Sequence, residues 1–156
     1  MGNCHPVKTP MESRLFLPVL TEPEVDITTY QQLIGSLMYA MVCTRPNISY
    51  TVGVVAHYVS APGHIYMKVV KRIYCYLCGT SDYKLVYYAT KDQNELVIYS
   101  DSDWAGDCND HKSITGFVTC LSGGTITWAL HKQACISTSS TEAKFIAAAT
   151  RCQEAL

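Results

Sequence analysis

The stretch YSDSDWAGD, Tyr99 to Asp107, sits where helical periodicity gives way to strict alternation, and its reading decides the fold. The alternation entering it from Leu96 places Val97, Tyr99 and Asp101 on one face of a strand, while Asp103 and Asp107 fall in the loop that follows. Carboxylates at a strand end suit a divalent ion, because Mg²⁺ needs several oxygen ligands in a tight octahedral shell and neutralises charge on an attacked phosphate. Acidic residues after a strand also form turns by bonding their own backbone, so both readings stand at this point.

Working outward, Leu85 to Tyr88 and Leu96 to Asp101 flank the polar turn KDQN at 91–94 and read as a hairpin. Gly116 to Leu121 and Thr125 to Leu130 pair across Ser122-Gly123-Gly124, and Ala134 to Ser137 adds a short strand. Residues 84–138 thus predict an antiparallel meander, closed by a helix from about Thr141 to Cys152.

Upstream the period is helical. Leu33, Ile34, Leu37, Met38 and Met41 predict a helix from Thr29 that ends before Arg45-Pro46. A second begins at Asn47 as N-cap, buries Ile48, Val52, Val55, Ala56 and Val59, and stops at Pro62-Gly63. A third runs from His64 to Leu77 with Val69, Val70, Ile73 and Leu77 inward and Gly79 as its C-terminal cap. Prolines 6, 10, 18 and 23 without periodicity make residues 1–28 an extended, loosely attached lead-in. The expected fold class is α+β (α/β mixed): a lead-in over 1–28, a helical module over 29–80, and a meander plus helix over 84–156.

With 48% apolar and 16% charged residues, the 156-residue chain has a folding composition. A net charge of −1 supplies no global pull towards phosphates, and the local set Lys68, Lys71, Arg72 and Lys84 reads as a solvated helix face, so no specific nucleic acid is expected as a partner. The apolar runs, such as Leu37 to Cys43, are too short for a membrane span, no signal-peptide core is visible, and Met1-Gly2 is a poor myristoylation match. Eight cysteines, at 4, 43, 75, 78, 108, 120, 135 and 152, are too scattered for a disulfide scaffold and read as ordinary thiols of an intracellular protein. Cys75 and Cys78 lack a second CxxC or HxxxH partner, so no metal or redox role is expected of them.

The segments QLIGSLMYAMVCTRPNISYTV, KRIYCYLCGT, YSDSDWAGD, HKSITGFV and ISTSSTEAKFIAAAT, in this order, with MGNCHPVKTPM ahead of them, carry a resemblance over essentially the whole chain. Together they are similar to the end of the reverse transcriptase, the connection helices and the first half of the ribonuclease H domain in copia-type retrotransposon Pol polyproteins. The resemblance makes residues 29–80 a connection module and residues 84–156 a truncated ribonuclease H-like domain.

Carried over residue by residue, the family's first catalytic carboxylate falls on Asp101, and its second, the Glu preceding the aromatic residue in SSTEAEY, falls on Lys144. Glu142 lies two positions earlier, about 200° around a helix, and with Ser139 completes the capping box S-x-x-E. The Lys144 ammonium is expected to pair with Asp101 and to compete with Mg²⁺ for the same space. The family's remaining carboxylates are expected beyond Leu156, and its polymerase aspartate pair before Met1; no Asp-Asp pair occurs in the sequence. The resemblance therefore implies a vestigial site at Asp101 and Lys144, with no catalytic residues, no cofactor, no working Mg²⁺ site and no enzyme activity. It also implies that the first strand of the sheet lacks its later neighbour, which leaves an open apolar edge for self-association or docking.

The chain resembles, in addition, copia-like members of the secreted RxLR effectors of oomycete plant pathogens. That likeness implies a virulence protein that is secreted, then acts in host cytoplasm or nucleus by binding an unidentified host plant protein to suppress immunity or cell death. The motif itself is incomplete: Arg14-Leu15-Phe16-Leu17 lacks its second arginine, and Glu22, Glu24 and Asp26 are not contiguous. The alternatives are an intracellular or decayed retrotransposon fragment with no selected function, and an RNA–DNA hybrid nuclease completed by another chain, against which Lys144 argues.

Overall fold

The computed structural model describes residues 4–12, 17–18, 21–87, 95–106 and 111–155. Arg14 to Phe16, Tyr88, the expected turn at 91–94, Asp107 and Cys108 lie outside the described residues. The fold is α+β; among the described residues it has four α-helices and a three-stranded antiparallel sheet, and the chain divides into two compact units, Met1–Lys84 and Leu85–Leu156.

The first unit is helical. α1 spans Ile27–Cys43, with Asp26 as N-cap: its carboxylate accepts from the Thr29 amide at 2.7 Å, and the Thr29 hydroxyl first, then that amide, hold its pKa below the usual carboxylate value. Tyr30, Ile34 and Leu37, one face at helical spacing, are buried against Val52 and Val55 of α2 (Ser49–Ala56) and Val69, Val70 and Ile73 of α3 (His64–Gly79). Three buried or half-buried tyrosines bridge these helices with their hydroxyls or rings. Tyr30 donates to the Val55 carbonyl at 2.9 Å, Tyr74 to the Leu33 carbonyl at 3.0 Å, and the ring of Tyr66 stacks on Tyr58 with centroids 4.1 Å apart.

Several boundaries depart from the sequence expectation for local reasons. Asn47 is not the N-cap of α2: Pro46 starts a short 3₁₀ turn, Pro46–Ile48, and the Asn47 side chain accepts from Arg45 Nε at 3.3 Å and donates to the Tyr76 hydroxyl at 2.6 Å. Gly79 is the last residue of α3 and not a left-handed cap; a Cβ there would stand 2.9 Å from Cβ of Pro6, so close approach accounts for the glycine. The lead-in is better attached than expected. A disulfide joins Cys4 to Cys75, Arg72 bonds the Thr9 carbonyl and the Glu12 carboxylate, Val7, Met11, Leu17 and Val25 pack on the core, and Glu24 accepts from the His64 amide. Cys4 and Cys75 are therefore not the ordinary thiols that their spacing suggested.

The second unit is a meander with one helix. β1 (Leu96–Ser102), β2 (Ile114–Leu121) and β3 (Gly124–Lys132) pair in that order, all antiparallel, with an irregularity between Thr119 and Cys120. β2 and β3 turn through Ser122 and Gly123, both at positive φ (51° and 75°), the two-residue geometry whose twist matches the flanking strands. Residues 85–87 are not a strand; Tyr87 instead lies over Gly124, where a Cβ would meet its ring, and donates to the Thr125 carbonyl at 2.7 Å.

Nor is Ala134 to Ser137 a strand: β3 ends at Lys132, the Gln133 N–H still donates to the Ser113 carbonyl at 2.9 Å, and the Gln133 side-chain amide turns inward. Its Nε2 donates to Thr115 Oγ1 and to the Ala143 carbonyl, both at 2.9 Å, and its Oε1 accepts from Ser137 Oγ at 2.8 Å. α4 (Ser140–Ala155) packs on β1 and β2. Ala143, Ala147 and Arg151, four apart, form its buried stripe, and Thr115, Phe117 and Thr119 are buried on β2. The Arg151 guanidinium carbon lies 3.2 Å from the Phe117 ring centroid. No helix among the described residues is long and apolar enough to cross a membrane.

Candidate functional site

The end of β1 and the first turns of α4 position the residues singled out in the sequence. Asp101 pairs across the sheet with Gly116, one residue before β1 ends, and its side chain is exposed. α4 starts with Ser139 Oγ accepting from the Glu142 amide at 3.2 Å, while the Glu142 carboxylate accepts from the Thr138 amide and hydroxyl, both at 2.7 Å. The Ser139–Glu142 half of the expected capping box is in place, while the return bond falls on Thr138 in place of Ser139; the Thr138 hydroxyl first, and its amide second, hold the Glu142 pKa below the usual carboxylate value.

One turn into α4, Lys144 brings its ammonium to 3.4 Å from Asp101 Oδ1. Asp103, the other described acidic residue of YSDSDWAGD, is engaged differently. Asp103 folds into its own loop: Oδ1 accepts from the Ile114 amide at 2.5 Å, and a Cβ on Gly106 would sit 1.8 Å from Oδ2. The loop is fixed further by Trp104, whose Nε1 donates to the Ser137 carbonyl at 3.0 Å, and by the Ala105 amide, which donates to Ser113 Oγ at 3.2 Å. Among the described residues, no three His, Cys, Asp or Glu side chains gather as metal ligands would. Chemically, the described residues offer here an exposed carboxylate, Asp101, paired with an exposed ammonium, Lys144.

Sequence reasoning overlooked Gln133, whose amide ties β2 to α4 and so sets where Lys144 stands relative to β1. Nothing local marks it, since a single Gln after an alternating run is ordinary strand-end chemistry.

A mixed α+β chain with this order of motifs and this acid-bearing strand end belongs to the copia-type retrotransposon Pol family. Among its relatives are the "Retrovirus-related Pol polyprotein from transposon TNT 1-94" of Nicotiana tabacum, 41% identical over 95% of this chain and 12% of the relative. Another is the "Secreted RxLR effector protein 161" of Plasmopara viticola, 37% identical over 81% of this chain and 89% of the relative. A third is the "Retrovirus-related Pol polyprotein from transposon RE2" of Arabidopsis thaliana, 35% identical over 99% of this chain and 10% of the relative. The chain thus spans about a tenth of the length of these polyproteins and most of the length of the effector protein. No protein-family model and no solved structure matches it.

Proposed function

We propose that this chain is a ribonuclease H-like derivative of a copia-type Pol polyprotein that has lost nuclease activity and acts by binding. The ion pair between Lys144 and Asp101 carries the reading. By resemblance, these two positions would supply two carboxylates to Mg²⁺. A cation at 144 removes one ligand and neutralises the other, at a place where hydrolysis needs concentrated negative charge. Glu142 is no substitute, because its carboxylate is committed to the start of α4. The test is incubation of the purified chain with Mg²⁺ and an RNA–DNA hybrid, in which no cleavage is expected. K144E is expected to remain inactive too, since two carboxylates are fewer than such a centre uses. Robust cleavage by the unmodified chain would overturn the reading.

We propose further, from the resemblance to RxLR effectors, that the binding is that of a secreted protein working in the cytoplasm or nucleus of a host plant cell, on a host plant protein, to suppress immunity or cell death; a relative named as a secreted RxLR effector supports this. Support comes from the extent of the match, which takes in most of that relative and leaves no room for a separate effector domain outside it. Expression of the chain in leaf tissue beside a cell-death elicitor tests this directly. Suppressed death supports it, and unchanged death favours a decayed fragment with no selected function.

A contact surface is available for either outcome. β1 has β2 on one side and no partner strand among the described residues on the other, and Leu96, Val97 and Tyr99 are exposed along it. Self-association through this edge predicts a concentration-dependent sedimentation coefficient, and a clean monomer at micromolar concentration counts against it.

A further inference from the structure

We propose that the Cys4–Cys75 disulfide is a redox latch that holds residues 4–12 as a strap on α3 and releases them when a dithiol reductant opens it. The strap has no regular secondary structure, and among the described residues no backbone–backbone hydrogen bond ties it to the helices. Its other attachments are modest. Pro6 rests against Gly79, Val7 and Met11 touch the edge of the core, and the partly exposed Arg72 side chain reaches Thr9 and Glu12 at 3.0 to 3.2 Å. Exposed polar contacts of that kind hold a segment weakly in water. A covalent tie keeps the segment at high effective concentration over its seat, so the bond decides whether these contacts persist.

The seat is the stripe Arg72, Cys75 and Gly79 of α3, residues that share one helical face. Cys4 and Cys75 are both half-buried, within reach of a small dithiol. One thiolate of the reductant attacks a sulfur of the pair, a mixed disulfide forms and one cysteine leaves as a thiolate. The second thiol of the reductant then displaces the other cysteine, so that Cys4 and Cys75 end as thiols and the reductant as a disulfide. Reduction also places the Cys75 thiol three residues from the exposed thiol of Cys78, which makes that face of α3 a dithiol surface.

The experiment uses the full chain and an exposed bond within the strap, Lys8–Thr9, as a tryptic reporter. In air-oxidised protein the bond is expected to be cut slowly. With excess dithiothreitol, cleavage there should rise on the order of tenfold, while helical circular dichroism stays unchanged. Cys4→Ser should be cut at the fast rate with or without reductant, and Cys78→Ser should keep the dependence on it. If Cys4→Ser does not fold, the wild-type comparison alone decides. Equal cleavage rates before and after reduction would overturn the proposal, and so would full alkylation of Cys4 and Cys75 in the untreated protein.

Discussion

The Arg45 guanidinium donates through Nη1 to the Thr80 carbonyl at 2.8 Å, joining the corner between α1 and α2 to the C-terminal end of α3. A second donor, Nη2, bonds Thr80 Oγ1, Nε bonds Asn47, and the rings of Tyr76 and Tyr83 lie 6.0 Å and 5.8 Å from the guanidinium carbon. The charge is nearly buried, and the negative end of the α3 dipole and two aromatic faces compensate it in place of a carboxylate. R45A should cost the helical unit about 2–4 kcal/mol, since it leaves the end of α3 unsatisfied and removes packing from both rings. R45K should recover only part of that, because an ammonium cannot reproduce the fork. Chemical denaturation followed by helical circular dichroism measures both.

Alkaline pH should loosen the same unit. Burial pushes the phenol pKa values of Tyr30, Tyr66 and Tyr74 up, most strongly for Tyr30. A phenol raised in the folded state and ordinary in the unfolded one contributes stability that is complete below about pH 10 and declines as pH rises above it towards the folded value. Unfolding midpoints measured below and above about pH 10 should be lower on the alkaline side. Y30F should flatten the decline while losing about 1 kcal/mol near neutrality through its bond to the Val55 carbonyl.

The parts of the fold legible in the sequence are those set by periodicity. Of the expected stripe Leu33, Ile34, Leu37, Met38 and Met41, Ile34 and Leu37 are buried and Leu33 and Met41 pack against the core, while Met38 is exposed and Tyr30, one turn earlier on the same face, takes a buried place. The parts missed are set by contacts between distant residues. Asn47 reads as a helix cap, but Arg45 and Tyr76 claim its amide, and Gly79 ends α3 as expected, but for close approach to Pro6 and not as a left-handed cap. Ala134 to Ser137 has strand composition, but Ser137 is drawn by its hydroxyl to the buried Gln133 side chain, a contact that local pattern does not reveal. At the site, the pairing of Asp101 with Lys144 could be anticipated only by aligning both with a family pattern, because nothing local to either residue points to the other.

Gln133 gives the clearest stability test of the second unit. Its buried amide makes three hydrogen bonds, to Thr115, Ala143 and Ser137, in an interior whose buried apolar residues among those described are Phe117, Ala143 and Ala147. So small an apolar interior leaves the polar network a large share of the work of holding α4 to the sheet. Q133A should cost about 2–4 kcal/mol by stranding the partners of all three bonds. Hydrogen exchange should show the loss first in the amides of α4, and equal exchange in mutant and wild type would contradict it.

The Lys144–Asp101 pair should behave oppositely, mattering to the site and little to the fold. Both side chains are largely exposed, at 63% and 79%, so the attraction is weakened by water and by salt. K144A and D101N should each shift stability by less than about 1 kcal/mol, and their difference from wild type should shrink further as salt is added. On the reading proposed above, the ammonium's chemical effect is separable from its energetic one, because it stands beside the Asp101 carboxylate. Mg²⁺ titration followed by the backbone amide signals of Ser100 to Ser102 should leave the wild-type chain unmoved at low millimolar metal, whereas K144E, with two adjacent carboxylates, should shift those signals weakly and saturably. Equal, saturable shifts in the wild type would mean that Lys144 does not exclude the ion, and the reading of this locale as a neutralised metal site would fail.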